Sequence, residues 1–178
     1  MKERIPIGAD HAGFALKQIL IEELHRRGLE ADDLGTDSDA STDYADYAHP
    51  VAHEVETGAA KRGILMCGTG LGMSYAANRH PGVRAAVAWT PEIAKLAREH
   101  NDANVLVLPA RFLDPDTARA ILEDSVANAK ALLGVKDVQQ LIAMQTTLAQ
   151  PAVEKAVAYS RSVYEIATQT QEELSKVV

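Results

Sequence analysis

The fold is decided by residues 63–72, which read Gly-Ile-Leu-Met-Cys-Gly-Thr-Gly-Leu-Gly. Gly63 to Met66 are typical of a short buried strand, and the glycines after them are typical of a loop that leads into a helix. Because glycine carries no Cβ, such a loop turns tightly and brings its backbone N–H groups to an anion. Cys67, the only cysteine of the chain, stands where the strand ends. This stretch therefore predicts a strand–loop–helix unit with an anion-binding loop.

The thiol of Cys67 has two interpretations at this position. It is suited to act as a nucleophile or as an acid/base group at the mouth of the loop. A buried cysteine is also a common small core residue. The glycines, spaced G-x-G-x-G, match neither the dinucleotide-binding fingerprint nor the phosphate-binding loop that ends in Lys-Ser/Thr. The motif alone leaves both roles of the cysteine open.

Outward from this unit, strands and helices alternate along the chain. The pattern predicts strands at residues 5–9, 30–34, 63–67, 83–88 and 104–108. It predicts helices at 14–27, 47–57 (with Pro50 in the first turn), 73–79 and 91–99, and one that starts near Asp114. Such alternation implies right-handed crossovers and a parallel sheet covered on both faces. We expect an α/β fold, a Rossmann-like three-layer sandwich with a five-stranded parallel sheet, plus a C-terminal helical extension.

Composition excludes several classes of protein. The chain has 178 residues and a formal net charge of −7, which argues against general nucleic-acid binding. No stretch approaches the roughly 20 apolar residues that span a bilayer, and the start Met-Lys-Glu-Arg lacks the apolar region of a signal peptide. A single cysteine cannot form an internal disulfide. We expect a cytoplasmic protein without a membrane span, in which local cations or N–H groups hold any phosphate.

Polar side chains follow several of the predicted strands. Because ligands of such sheets bind beyond the carboxyl ends of the strands, these side chains are expected to share one edge. They are Asp10-His11 after the first strand, Thr36-Asp37 after the second, Cys67 after the third and Arg111 after the fifth. His100 and Asn101 end a helix at the opposite edge, so they belong to a site shared between subunits or to a loop that folds back. The remaining histidines are interpreted as structural: His25, His49, His53 and His80.

Six motifs occur in order along the first two thirds of the chain. They are Gly8-Ala9-Asp10-His11-Ala12-Gly13-Phe14, Thr42-Asp43-Tyr44, Cys67-Gly68-Thr69-Gly70-Leu71-Gly72, Ala76-Ala77-Asn78, Gly82-Val83-Arg84-Ala85-Ala86 and Arg98-Glu99-His100-Asn101-Asp102-Ala103-Asn104-Val105-Leu106. Together they resemble ribose-5-phosphate isomerase type B, a family that includes galactose-6-phosphate isomerase subunits and tetrulose-phosphate isomerases. The resemblance covers about residues 4–122.

The resemblance implies an aldose–ketose isomerase of a phosphorylated sugar, such as ribose 5-phosphate of the pentose phosphate pathway. The reaction would pass through a cis-enediolate without a metal or an organic cofactor. Cys67 would move the proton between C1 and C2, with Thr69 beside the enediolate, and His100 would donate a proton in ring opening. Some members instead use a Glu just after the glycine loop, where this chain has Met73. The implied substrate-binding residues are Asp10, His11, Tyr44, Gly68, Gly70, Leu71, Gly72, Asn101 and Arg111. Members are homodimers or homotetramers with sites at the subunit interface.

The last third of the chain departs from this family. Members end with a Gly-Gly-Arg-His…Arg segment that binds the substrate phosphate, and nothing after about Glu123 matches it. Candidate replacements are Arg111, Arg119, Lys130 and Lys136. We expect a sugar-phosphate isomerase domain over residues 1–123 and a helical extension over residues 124–178.

The extension resembles the phasins, helical proteins that coat polyhydroxyalkanoate granules. The resemblance rests on Asn128-Ala129-Lys130-Ala131-Leu132-Leu133-Gly134-Val135-Lys136-Asp137-Val138-Gln139 and on Ala158-Tyr159-Ser160-Arg161-Ser162-Val163-Tyr164-Glu165. Residues 153–178 also form a heptad-like seam that is only half apolar. The tail is then either a solvated helix on its own protomer or a device for oligomerisation or surface association. The alternative function is a catalytically weak isomerase-like protein whose tail serves assembly or granule association.

Overall fold

Five parallel strands form one sheet in the part of the chain that the structure describes. The computed structural model describes residues 3–133, with the side chains as far as Glu123 and at Ser125. The elements are β1 (Arg4–Ala9), α1 (Phe14–Arg26), β2 (Glu30–Asp33), α2 (Ala45–Glu56), β3 (Gly63–Cys67), α3 (Leu71–Ala77), β4 (Ala85–Val87), α4 (Pro91–Asn101), β5 (Val105–Pro109) and α5 (Pro115–Leu133). The strand order is β2-β1-β3-β5-β4. The predicted α/β fold with a five-stranded parallel sheet is confirmed.

Two hydrophobic clusters lie on opposite faces of the sheet. One joins α1, α4 and α5 through residues such as Leu20, Ala94 and Ile121. The other joins α2 and α3 through Val51 and Met73. Each fully buried aliphatic side chain of this kind stabilises the fold by about 1.5–3 kcal/mol relative to exposure. Helices therefore cover both faces, which makes the three layers that the sequence predicts.

Strand β3 is buried on both faces, as central parallel strands are. Ile64 and Met66 belong to the cluster under α1, α4 and α5, whereas Leu65 and Cys67 belong to the cluster under α2 and α3. This alternation fixes the face on which the Cys67 side chain lies.

The start of α2 differs from the prediction. The helix begins at Ala45 rather than at Tyr47, because the Asp43 carboxylate accepts a hydrogen bond from the Ala45 N–H at 2.9 Å. Pro50 consequently lies in the second turn and not in the first. It has no N–H to donate to the preceding turn, which locally weakens the helix.

Strand β4 is shorter than predicted, with three residues in place of 83–88. Asn78 explains its start: its side chain accepts from the Ala85 N–H and donates to the Ala85 carbonyl, both at 2.8 Å. β4 is an edge strand, and a side chain that takes up its outward N–H and C=O blunts that edge.

The predicted start of the last helix is confirmed at Pro115. Asp114 caps it, and hydrogen bonds from the Thr117 side chain and backbone hold the pKa of Asp114 below its usual value.

The domain boundary predicted after Glu123 falls inside α5. The chain divides into two compact units, Met1–Ala129 and Lys130–Val178. The heptad-like seam over residues 153–178 lies outside the described residues. Among the described helices, none is both long enough and apolar enough to cross a membrane.

Candidate active site

The carboxyl ends of β1, β3 and β5 lie side by side at one edge of the sheet. The Asp10 N–H donates to the Met66 carbonyl at 3.3 Å, and the Ala110 N–H donates to the Cys67 carbonyl at 2.9 Å. β2 lies on one side of β1 and β3 lies on the other, so the strand order reverses between β1 and β3. Parallel α/β sheets bind ligands at such a switch point. Asp10, Cys67 and Arg111 are thus brought to one edge, as predicted.

Cys67 ends the central strand with a free thiol that is 5% exposed. Its side chain packs in the cluster that also contains Leu65 and Val107. The thiol is therefore well shielded, yet its own backbone leads directly into the glycine loop.

The glycine loop turns at Gly70, which has a φ of 77° and caps α3. A Cβ at this position would lie 3.0 Å from Val87 Cγ1, so both the backbone conformation and the space favour glycine. The Thr69 hydroxyl accepts a hydrogen bond from the Leu71 N–H at 3.3 Å. Thr69 therefore shapes the loop locally, and it occupies one of the N–H groups expected to face the enediolate.

Two side chains close over the loop from opposite sides. A Cβ built on Gly68 would lie 3.2 Å from Arg111 Cδ, and one built on Gly72 would lie 2.9 Å from Tyr44 Cζ. At Gly72 a Cβ would force the Tyr44 ring to shift, whereas at Gly68 the exposed Arg111 side chain would have to give by only a few tenths of an ångström. In the described part of the chain, the Arg111 guanidinium has no hydrogen bond or ion pair. Arg111 and Tyr44 thus flank the backbone N–H groups with a cation and a phenol.

His11 is oriented by groups that the sequence did not single out. The Thr42 N–H donates to His11 Nδ1 at 3.3 Å, and the Thr42 hydroxyl donates to the Tyr47 hydroxyl at 2.9 Å. In a neutral imidazole the other nitrogen then carries the proton, so His11 presents an Nε2–H donor. Thr42 belongs to one of the six motifs of the sequence, but a separation of 31 residues between His11 and Thr42 does not predict this hydrogen bond.

Asp10 is held inward by its own loop. It is 6% exposed, and its Oδ1 accepts hydrogen bonds from the N–H groups of Ala12 at 2.9 Å and Gly13 at 3.2 Å. The carboxylate therefore shapes the turn between β1 and α1. Both of these bonds go to Oδ1, and Oδ2 has no hydrogen bond within the described residues.

His100 and Asn101 lie at the other edge of the sheet. They are the exposed last residues of α4. The strand that follows begins at Val105, which pairs with Gly63 and Ala85 at the starts of β3 and β4. Within one chain these two residues are therefore separated from Cys67 by the length of the sheet, as the topology predicts.

Other polar and aromatic groups surround this framework. Trp89 and Phe112, which follow β4 and β5, are exposed with ring centroids 6.5 Å apart. On the surface, His49 Nδ1 lies 2.9 Å from His80 Nε2, and His80 Nδ1 lies 2.8 Å from Glu56. Over the residues that the structure describes, no three His, Cys, Asp or Glu side chains converge as metal ligands.

The parallel sheet, the polar edge and the glycine loop define the class: an α/β enzyme that acts on a small anionic substrate. The family model described as Ribose/Galactose Isomerase matches residues 5–133. The chain belongs to this family, and it is a sugar-phosphate isomerase of the aldose–ketose type. The resemblance noted in the sequence is confirmed.

Curated relatives and solved structures agree with this membership. The chain is 45% identical to ribose-5-phosphate isomerase B of Escherichia coli (strain K12) over 68% of this chain and 81% of the relative. It is 40% identical to the D-erythrulose-4-phosphate isomerase of Pectobacterium atrosepticum over 66% and 78%. The structure resembles a ribose 5-phosphate isomerase from Thermotoga maritima, with a TM-score of 0.69, 46% identity and coverage of 71% and 88%. It also resembles ribose-5-phosphate isomerase B from Mycoplasma genitalium with bound ribulose-5-phosphate, with a TM-score of 0.67, 41% identity and coverage of 71% and 84%.

The C-terminal part has a match of its own. The family model described as Phasin protein matches residues 115–178, so it overlaps the isomerase match from 115 to 133. The overlap lies within α5. The resemblance of the tail to phasins is thus confirmed.

Proposed function

We propose that this chain interconverts ribose 5-phosphate and ribulose 5-phosphate through a cis-enediolate, with Cys67 as the base. The observation that carries the proposal is the position of Cys67. Its shielded sulfur ends the central strand beneath a glycine loop that a cation and a phenol flank. The 41% identity to a relative with bound ribulose-5-phosphate supports the choice of sugar.

The proposed chemistry is a transfer of one proton along the sugar. The Cys67 thiolate removes the proton from C2 of the open-chain aldehyde. The electrons of that C–H bond form the C1–C2 double bond, and the carbonyl electrons move onto O1. The same thiol returns the proton to C1 while the proton on O2 passes to O1, which gives the ketone. No electron leaves the substrate, so the step needs no redox partner.

The enediolate requires donors aimed at its developing negative charge. In this proposal the N–H groups of the loop from Gly68 to Gly72 supply them, apart from that of Leu71, which bonds to Thr69. Gly70 and Thr69 hold the loop in shape before substrate arrives. Removing one such donor in other enzymes slows the reaction by roughly 10²–10³-fold.

The phosphate end is assigned to Arg111, and the sugar hydroxyls to Asp10, His11 and Tyr44. Arg111 lies over Gly68, so its charge is next to the loop N–H groups. His11 offers Nε2–H because Thr42 occupies Nδ1. These groups compensate locally for a chain whose net charge of −7 repels a phosphate dianion.

The proposal places His100 and Asn101 in the site of a second protomer of a homodimer or homotetramer. A second copy has a suitable surface to cover. Edge strand β4 contacts α3 and α4, and these helices expose four large apolar side chains: Leu71, Tyr75, Ile93 and Leu96. A second copy that covers these side chains would remove their apolar surface from water.

A second candidate function is favoured by the phasin match over residues 115–178. In that case the isomerase site is weak, and the tail serves assembly or association with polyhydroxyalkanoate granules. The domain division at residue 123 is part of both proposals. Because α5 continues to Leu133, a useful truncation retains residues 1–133.

Turnover by the full chain separates the two candidates. Ribose 5-phosphate, D-erythrose 4-phosphate and galactose 6-phosphate are offered to the EDTA-treated protein, and binding to isolated granules is measured on the same sample. Turnover of ribose 5-phosphate with the highest kcat/KM supports the proposed function and its independence of metal. Absent turnover of all three sugars together with granule binding supports the second candidate. A higher kcat/KM for the tetrose would reassign the substrate.

A further inference from the structure

One residue at the amino edge of the sheet has an unusual backbone conformation. Asp102, which follows α4, has a φ of 48°, and it is the only non-glycine residue with positive φ among those the structure describes. The Ala103 N–H closes the turn on the Ala97 carbonyl at 3.0 Å, the arrangement in which helices normally use glycine. A residue with a Cβ persists there only when its surroundings hold it.

Arg84 holds this turn. Its Nε donates to the Asp102 carbonyl at 2.7 Å, and its Nη2 donates to the Asp102 carboxylate at 2.6 Å. Its own N–H donates to Asn104 Oδ1 at 2.8 Å, and Asn104 Nδ2 donates to the Gly82 carbonyl at 2.8 Å. Arg98 adds a hydrogen bond to the Ala103 carbonyl.

This number of bonds is large for a turn at the surface. Arg84 and Asp102 have side-chain exposures of 44% and 74%, and an isolated ion pair so exposed contributes little to stability. The Arg84–Asp102 ion pair by itself therefore contributes little to stability, and what the bonds of Arg84 fix is the conformation of the turn. The clamped turn directly follows His100 and Asn101, the last two residues of α4, so it holds the end of the helix that carries them.

We propose that Arg84 is the positioning residue for His100 and Asn101: its clamp on Asp102 sets the turn that presents both side chains to the neighbouring protomer's active site. This inference rests on the proposed function. Arg84 itself touches no substrate in this account. It acts by removing the alternative backbone conformations that would point the imidazole elsewhere.

A double-mutant cycle tests the inference on the full chain with ribose 5-phosphate. Arg84→Met is made in the wild type and in a His100→Ala/Asn101→Ala background. In the wild type kcat/KM should fall by roughly 10- to 100-fold, the effect of a misplaced catalytic group. In the second background Arg84→Met should change kcat/KM by less than about twofold, because the residues it positions are already gone. Arg84→Lys should fail to restore activity, since an ammonium cannot bond carbonyl and carboxylate as a planar fork does.

Lys61→Met is the matched control, because Lys61 is an exposed cation just before β3 at the same edge of the sheet. It removes the same charge and should leave kcat/KM unchanged. An equal loss from Arg84→Met in both backgrounds would show a structural role only and would overturn the inference, as would no loss in the wild type. An inactive wild type would instead overturn the proposed function and the inference with it. A His100→Ala/Asn101→Ala variant with full activity would overturn the placement of these residues in the neighbouring site, and the inference with that placement.

Discussion

Replacing Arg111 by Ala should raise KM for ribose 5-phosphate by about tenfold and leave kcat nearly unchanged. The guanidinium lies against Gly68, with Nε 3.3 Å from the position of a Cβ there. A charge-assisted hydrogen bond contributes about 1.5–3 kcal/mol, which corresponds to roughly 10- to 150-fold in affinity. Arg111 is exposed, so the lower end of this range applies. The phosphate takes no part in the proton transfer, and a contact made equally in ground state and transition state changes KM alone.

The assay is initial-rate isomerisation together with the inhibition constant of inorganic phosphate. Arg111→Ala should raise that inhibition constant by the same factor as KM, and added salt should weaken the wild type more than the variant. Lys61→Ala removes an exposed cation before β3 and should change neither quantity. A KM within about twofold of the wild type would refute the assignment of the phosphate to Arg111, as would a loss confined to kcat.

Two further predictions concern the support of the site and of the fold. Gly72→Ala places a Cβ 2.9 Å from Tyr44 Cζ, so it should destabilise the protein by about 1 kcal/mol and raise KM. Adding Tyr44→Ala to this variant should restore its unfolding midpoint in urea. A midpoint that stays low in the double variant would contradict this packing. Burial raises the pKa of Glu23, but the hydrogen bond and charge of Arg27, with the charges of Arg26 and Arg119, outweigh burial and leave this pKa below the ordinary 4.5. Its ionised form therefore stabilises the fold at neutral pH, and this contribution is lost as pH falls below 4.5 through the lowered pKa. Glu23→Gln should cost about 1 kcal/mol at pH 7 and progressively less in acid; a difference in urea stability that does not change with pH would contradict the ion pairs.

Alternation of apolar runs with amphipathic segments was enough to predict the sheet. β3 matches its predicted range because Gly63–Cys67 is buried on both faces and reads as a continuous apolar run. The predicted starts of α2 and β4 were wrong by two residues because side chains set them. Asp43 caps α2 from outside, and Asn78 takes up the N–H of Ala85. The alternation of apolar and polar residues that predicts helices and strands does not predict such side-chain hydrogen bonds.

The candidate site was likewise predicted in part. The rule that ligands bind at the carboxyl edge brought Asp10, Cys67 and Arg111 together from sequence alone. The rule says nothing of Thr42 on His11 or of Arg84 on Asp102, because these bonds link segments that meet only in the folded sheet. The closeness of Tyr44 to Gly72 likewise follows from how α2 and α3 pack.

The assignment of Cys67 as the base is the central claim, and hydron transfer from C2 tests it most directly. Ribose 5-phosphate labelled with deuterium at C2 is incubated in water with the wild type, Cys67→Ala and Cys67→Ser, and both ketose formation and deuterium release are followed. The thiol is 5% exposed in an aliphatic cluster, so Cys67→Ala should fold with a loss of only about 1 kcal/mol, checked by its unfolding midpoint. The account predicts that both variants lose about 10²–10⁴-fold in isomerisation and in deuterium release. A folded Cys67→Ala protein that releases deuterium at the wild-type rate would contradict it.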